Sequence, residues 1–490
     1  MRRIAAYFAL LGLAIFPAGC GSGGTPSSTP AADVVPASAP LYFALNTDFE
    51  SDQLQQARDL LDRFPDGEAA LDMVRAELES DENVDFETDV RPALGDQVGL
   101  VFLTFPTGAG DPDVVALVQP EDKAKLDTLV QSGEEPAVTR EIGDWTAVAN
   151  GDAVLDRFEQ AQSEQTLDES DDFTEAMDGL PDETLVKAYV NTRALVGAIA
   201  AQSPEAPQLQ QFLSGEVPSI GAAASAEENG VRLEARTKTT QEAQNFAPEL
   251  PSTLPSGALA YVGFGDIGSS IRESLNKAGE QNPQLDQGIA QLELGLGISL
   301  DDDVLPLFEH EGALAVYPAT AGTTDQPGVV LALTVDDATQ ATGLIDRTLQ
   351  RASGFQPSIP APESVTIGSV SAKSVRVNSD TEILYAAVDG TLVVTNQRSL
   401  IQGIAEGGTS LADDEVFDRG KDNAGVPDEV GGLVYLNLEA GANYVLSLAE
   451  SSGEDVPPQV SRNVEPLDSL VFYASTEDDR ANVSGFLSLK

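Results

Sequence analysis

One cysteine, Cys20, is the whole thiol content of this 490-residue sequence. Intrachain disulfides are excluded by that count, and so is a thiolate-bound metal cluster. Histidine is as scarce, with His310 alone. A single imidazole cannot form an H-E-x-x-H zinc pair. Trp145 is the one tryptophan, and aromatics make up 6% of the residues. Little is left for the stacking surfaces that sugar and single-stranded nucleic-acid sites use. The largest deficit is in basic residues: 27 Lys and Arg stand against 80 Asp and Glu, a net charge of -53. Such a surface repels phosphates, which excludes nucleic acid as a partner, and it disfavours anionic lipid headgroups.

What is present begins at the N-terminus. Arg2 and Arg3 precede an apolar run from Ile4 to Phe16, and small residues then lead to Cys20 in "FPAGC". The run is too short for a permanent membrane span and reads as a signal peptide. Ala18 and Gly19 directly before Cys20 resemble a bacterial lipobox, with Pro17 where that pattern usually has Leu. Lipidation of Cys20 is the expectation, with the membrane as partner through the lipid anchor. Gly21 to Asp33 reads as a Gly/Ser/Pro tether. The expected organisation is a signal segment 1–19, lipidated Cys and tether 20–33, and α+β domains 34–244 and 245–490. With 41% hydrophobic residues, the chain has material for both.

Internal repetition dominates the rest. "VPASAPLYFALNTD" (Val35 to Asp48) matches "LPSGALAYVGFGDI" (Leu254 to Ile267). "VDFETDVRPAL" (Val84 to Leu94) matches "ISLDDDVLPLF" (Ile298 to Phe308), and "GLPDETLVKAYVN" (Gly179 to Asn191) matches "GVPDEVGGLVYLN" (Gly425 to Asn437). The order is the same in both halves, which implies duplication. Within each half a strand-like run twice opens into a helix-like stretch followed by two more strand-like runs. The implied fold is α+β, with β-α-β-β units forming largely antiparallel or mixed sheets and helices packed on one face.

The lipobox-like start, the P-x-x-x-x-x-Y strand opening each half, and "DVLPLFEHEGALAVYP" with its partner "DVRPALGDQVGLVFLTFP" resemble a family of exported bacterial lipoproteins known as domain of unknown function 3352. The resemblance implies a duplicated extracytoplasmic fold and carries no activity or site residues.

Several motifs invite chemistry. Gly263, Gly265 and Gly268 spell G-x-G-x-x-G between a strand and a helix, the setting of a dinucleotide loop. The first half has Ala44, Asn46 and Phe49 there, so the joint forms without glycine and no cofactor is expected. Asn46, Asn191 and Asn437 recur at the same joint and read as helix caps. Asp301, Asp302 and Asp303 are weak calcium candidates. They are consecutive rather than alternating, so they read instead as the first turn of a helix that Ser299 caps, as Asp85 caps its counterpart. His310, with Glu309 and Glu311 beside it, lacks the partners of a catalytic site. Tyr42, Tyr189, Tyr261 and Tyr435 read as core residues with hydroxyls reaching an edge. The function these features imply is a membrane-anchored, non-enzymatic binding or scaffolding module of the cell envelope. The alternatives are a carboxylate-dependent envelope hydrolase and a small-ligand receptor with a cleft between the halves.

Overall fold

The computed structural model describes residues 29–78, 84–105, 112–132, 137–200, 217–239, 244–319, 326–355, 360–378, 381–453 and 455–490. Cys20 and the signal segment lie outside them. Two compact units divide the chain. One takes the residues up to Gln241 together with Pro457–Pro466 and Glu477–Lys490; the other takes Glu242–Val456 and Leu467–Thr476. The stretch 245–490, expected as one domain, thus gives two of its segments to the first unit.

Eight strands of the first unit come from the first half of the sequence. They are β1 (Leu41–Asn46), β2 (Gln97–Thr104), β3 (Asp113–Val118), β4 (Val138–Ile142), β5 (Trp145–Ala149), β6 (Val186–Val190), β7 (Ile220–Glu227) and β8 (Gly230–Lys238). They pair antiparallel throughout, in the order 4-5-3-2-1-6-7-8. In the second unit lie β9 (Ala260–Phe264), β10 (Gly312–Tyr317), β11 (Gly328–Thr334), β12 (Glu363–Ile367), β13 (Val370–Arg376), β14 (Glu382–Val388), β15 (Thr391–Thr395), β16 (Gly432–Asn437) and β17 (Leu467–Glu477). Their order is 12-13-14-15-11-10-9-16-17, again antiparallel. Read from β4 through β7 and from β14 through β17, the two orders are the same over seven strands, so the duplication extends to topology. Among the described residues the hairpin β12–β13 has no counterpart in the first half. The last strand, β18 (Arg480–Leu489), joins the first unit on β8, with Arg480 opposite Lys238 and Ser488 opposite Gly230.

The P-x-x-x-x-x-Y motif explains itself in this frame. Pro36 bridges Thr166 in one half and Pro255 bridges Ser410 in the other. Leu167 N–H donates to Val35 O at 2.9 Å, and Leu411 N–H to Leu254 O at 2.8 Å. Six residues on, Tyr42 and Tyr261 are buried in the strand. A phenylalanine from the helix after each bridge then meets the tyrosine of the neighbouring strand edge-on. Phe173 lies 5.0 Å from Tyr189, and Phe417 lies 4.9 Å from Tyr435, centroid to centroid. Such a pair contributes about 0.5–1.5 kcal/mol beyond its buried area.

Helices were expected on one face, but in the second unit they occupy both. Side chains alternate along β9, so Tyr261 and Phe264 point to opposite faces. Phe417, from helix Glu415–Ala424, packs on Tyr261. Phe264 belongs instead to a cluster with Leu331, Leu392 and Ala341 of helix Ala338–Phe355. No described helix is long and apolar enough to cross a membrane.

Candidate functional site

The G-x-G-x-x-G joint is not a phosphate loop. Its strand, β9, runs antiparallel to both neighbours, β10 and β16, whereas a dinucleotide unit needs a parallel one. The helix that follows, Ile267–Gln281, is capped by a carboxylate: Ser269 N–H donates to Asp266 Oδ1 at 3.1 Å. A negative charge already occupies the place a phosphate would take. The expectation that the fold does not require these glycines is corrected. A Cβ on Gly265 would stand 2.6 Å from the Phe246 ring, and one on Gly268 would stand 2.6 Å from Leu305 O. Close packing, not backbone freedom, demands them.

The asparagine joint splits in two. Asn191 accepts from Ala194 N–H at 2.9 Å and Asn437 from Ala440 N–H at 2.8 Å, both as caps. Asn46 does not cap: the helix Asp52–Leu61 starts later, with Ser51 as its cap, and Asn46 Nδ2 donates to Ser51 Oγ and Thr184 O. Ser299 and Asp85 cap equivalent short helices, accepting from Asp302 and Thr88 N–H at 3.1 and 2.8 Å. Asp303 Oδ2 accepts in turn from Ser299 N–H at 2.7 Å, and Asp301 pairs with Arg272 at 3.4 Å. The three aspartates are thus spent locally. Among the described residues no group of three or more His, Cys, Asp or Glu is placed to hold a metal ion.

His310 lies at the surface, with Nε2 3.1 Å from Asp336 Oδ1. Glu311 turns inward and accepts from the Glu249 and Leu250 N–H groups at 3.0 and 2.9 Å. Burial pushes its carboxyl above the ordinary value, and the two backbone bonds only partly oppose this. Of the four core tyrosines, Tyr42 donates to Pro30 O and Tyr189 to Ser219 Oγ at 3.0 Å. Tyr261 Oη and Tyr435 Oη find no hydrogen-bond partner among the described residues, which departs from the expectation of an edge contact.

A cavity that none of these motifs announced lies in the second unit, with a volume of about 590 Å³. Its walls come from helix Ala338–Phe355, strands β13 and β14, and the turn at Asp389. Lys373 Nζ stands 3.3 Å from Asp346 Oδ2. Gln350 Nε2 donates to the same oxygen at 3.1 Å, and Tyr385 Oη donates to Oδ1 at 3.2 Å. Burial, then the Asp346 charge, hold the Tyr385 hydroxyl well above its ordinary pKa, so it remains a donor. Thr339, Ser369 and Ser371 add hydroxyls to the lining. The first half goes from helix Lys123–Ser132 to β4 with only residues 133–137 between. It has no hairpin with which to build this wall. The absence of a first-half counterpart to "ESVTIGSVSAKSVR" is the sequence signal that marks the place.

No curated protein matches the chain. Solved structures of TP0453 align with about half of it. Crystal form IV covers 50% of this chain and 94% of its own at 13% identity and TM-score 0.25; form III covers 48% and 93% at 13% identity and TM-score 0.24. The family described as "Protein of unknown function (DUF3352)" matches residues 4–141 and 124–486. These matches take in both copies of the repeated sheet, and the chain belongs to the DUF3352 family.

Proposed function

We propose that this protein is a membrane-tethered, extracytoplasmic binding module of the cell envelope. It is held by lipid on Cys20 after removal of residues 1–19, and the tether expected over 20–33 is shorter than that, because Ala31 and Ala32 are buried in the core of the first unit. Anchoring rests on the basic, apolar and small-residue succession that ends in "FPAGC". Two or more acyl chains hold such an anchor firmly, at about 0.8 kcal/mol per buried methylene. The observation that carries the binding role is the cavity, which the second unit has built by adding a hairpin to a duplicated sheet. The acidic surface disfavours nucleic acid as its partner. A carboxylate hydrolase is less well supported, because Asp346 is engaged by Lys373, Gln350 and Tyr385 instead of facing a second free acid.

Labelling of cells with a clickable fatty acid tests the anchor. The wild-type chain is expected to take up label and sediment with membranes; Cys20→Ala is expected to do neither. Unlabelled wild-type protein would sink the anchoring part. Crosslinking in cells and mass spectrometry test the binding part, which predicts a captured partner or ligand that depends on correct localisation.

A further inference from the structure

We propose that the cavity of the second unit binds a short peptide-like zwitterion, with the ligand carboxylate on Lys373 and its ammonium on Asp389. The inference rests on reading the protein as a binding module and assigns that module a ligand class.

Three features of the cavity lead there. The first is size: about 590 Å³ falls within the range of small-molecule sites. The second is the disposition of charge. A lysine ammonium carries three donors, and Asp346 is the one acceptor found for Lys373 among the described residues. Asp346 is itself held from two further sides, by Gln350 and Tyr385. It fixes Lys373 in place and leaves donors of the ammonium available. Asp389 is exposed, in the turn that begins with its own positive φ of 46°. No hydrogen bond or ion pair engages it among the described residues. The third feature is the surrounding field. A chain of net charge -53 repels a simple anion. A simple cation would meet Lys373 and leave its donors unmet. A ligand bearing both charges satisfies both residues, and the hydroxyls of Thr339, Ser369 and Ser371 in the lining suit its amide groups.

Calorimetry on the folded chain tests this with trialanine as probe, alongside N-acetyl-trialanine, which lacks the cation, and trialanine amide, which lacks the anion. Trialanine is expected to bind, and either blocked form to bind about tenfold more weakly. Lys373→Gln is expected to abolish the difference between trialanine and its amide. Ser371→Trp fills the cavity from an exposed strand position and is expected to remove binding, with thermal melting unchanged. It keeps the test decisive if the Lys373 variant fails to fold. Absence of trialanine binding to the wild type overturns the assignment. So does equal binding of the amide, which would mark a plain cation site, and so does binding that survives Ser371→Trp. Each of these failures leaves the fatty-acid labelling result standing, so loss of the ligand class and loss of the anchored-module reading are separable.

Discussion

Asp468 is only 2% exposed, and Arg419 is what makes its charge tolerable there. The guanidinium meets the carboxylate with both arms, Nε to Oδ2 at 3.0 Å and Nη2 to Oδ1 at 2.6 Å. Removing it leaves a buried carboxylate alone. Arg419→Met is expected to destabilise the second unit by about 2–3 kcal/mol in urea melts. Lysine there should restore only part of this, because it cannot form the two-armed contact. Glu311 makes the opposite case. Its carboxyl is raised mainly by burial, so the folded state holds the proton more tightly than the unfolded chain does. Its stabilising effect is full below the ordinary glutamate pKa and is lost as pH rises through the raised value. Glu311→Gln mimics the protonated form. The variant should therefore gain on the wild type as urea midpoints are taken from pH 4 to pH 7; a difference that does not change with pH would refute this. Neither residue declared its role in the sequence, since burial of a single carboxylate depends on contacts with Arg419 or residue 250 that no local pattern encodes. The glycines at 263, 265 and 268 show the same limit. Their motif was visible, but its cause was packing against Tyr261, Phe246 and Leu305 in turn. Gly265→Ala should accordingly cost about 1–3 kcal/mol.

At the level of elements, the cap positions are the sharpest comparison. Asn191→Ala and Asn437→Ala each remove a bond to the third residue of a helix and should cost about 1 kcal/mol in thermal or urea melts. Asn46 looks identical in the sequence, yet Ser51 caps the helix beside it. Ser51→Ala is the substitution expected to show the capping loss there, while Asn46→Ala loses the side-chain links to Ser51 and Thr184. Strands and helices were legible because their apolar periodicities are strong. The duplication was legible because proline, tyrosine and asparagine recur at fixed places. The hairpin β12–β13 was not, since "ESVTIGSVSAKSVR" alternates small polar and apolar residues without a strong apolar run, and its lack of a first-half partner is the one mark it leaves. With it went the cavity.

Across the whole molecule, the residues from 477 onward decide whether β8 is an edge strand of the first unit. Deleting Glu477–Lys490 removes the pairing of β8 with β18 along its length. Amides of Gly230–Lys238 should then exchange faster with deuterium, and the truncated protein should associate through that edge. Unchanged exchange would mean that β8 does not depend on β18. No sequence pattern announced this pairing, because it joins strands from opposite halves and local periodicity carries no information about so distant a neighbour. It also sets a calendar for the molecule. A chain synthesised from its N-terminus has made β1 to β8 by Lys238, yet their sheet waits, one side unpaired, while the entire second sheet is produced. Only when Leu489 appears is β8 paired on both sides. The part of this protein that is begun first is the part completed last.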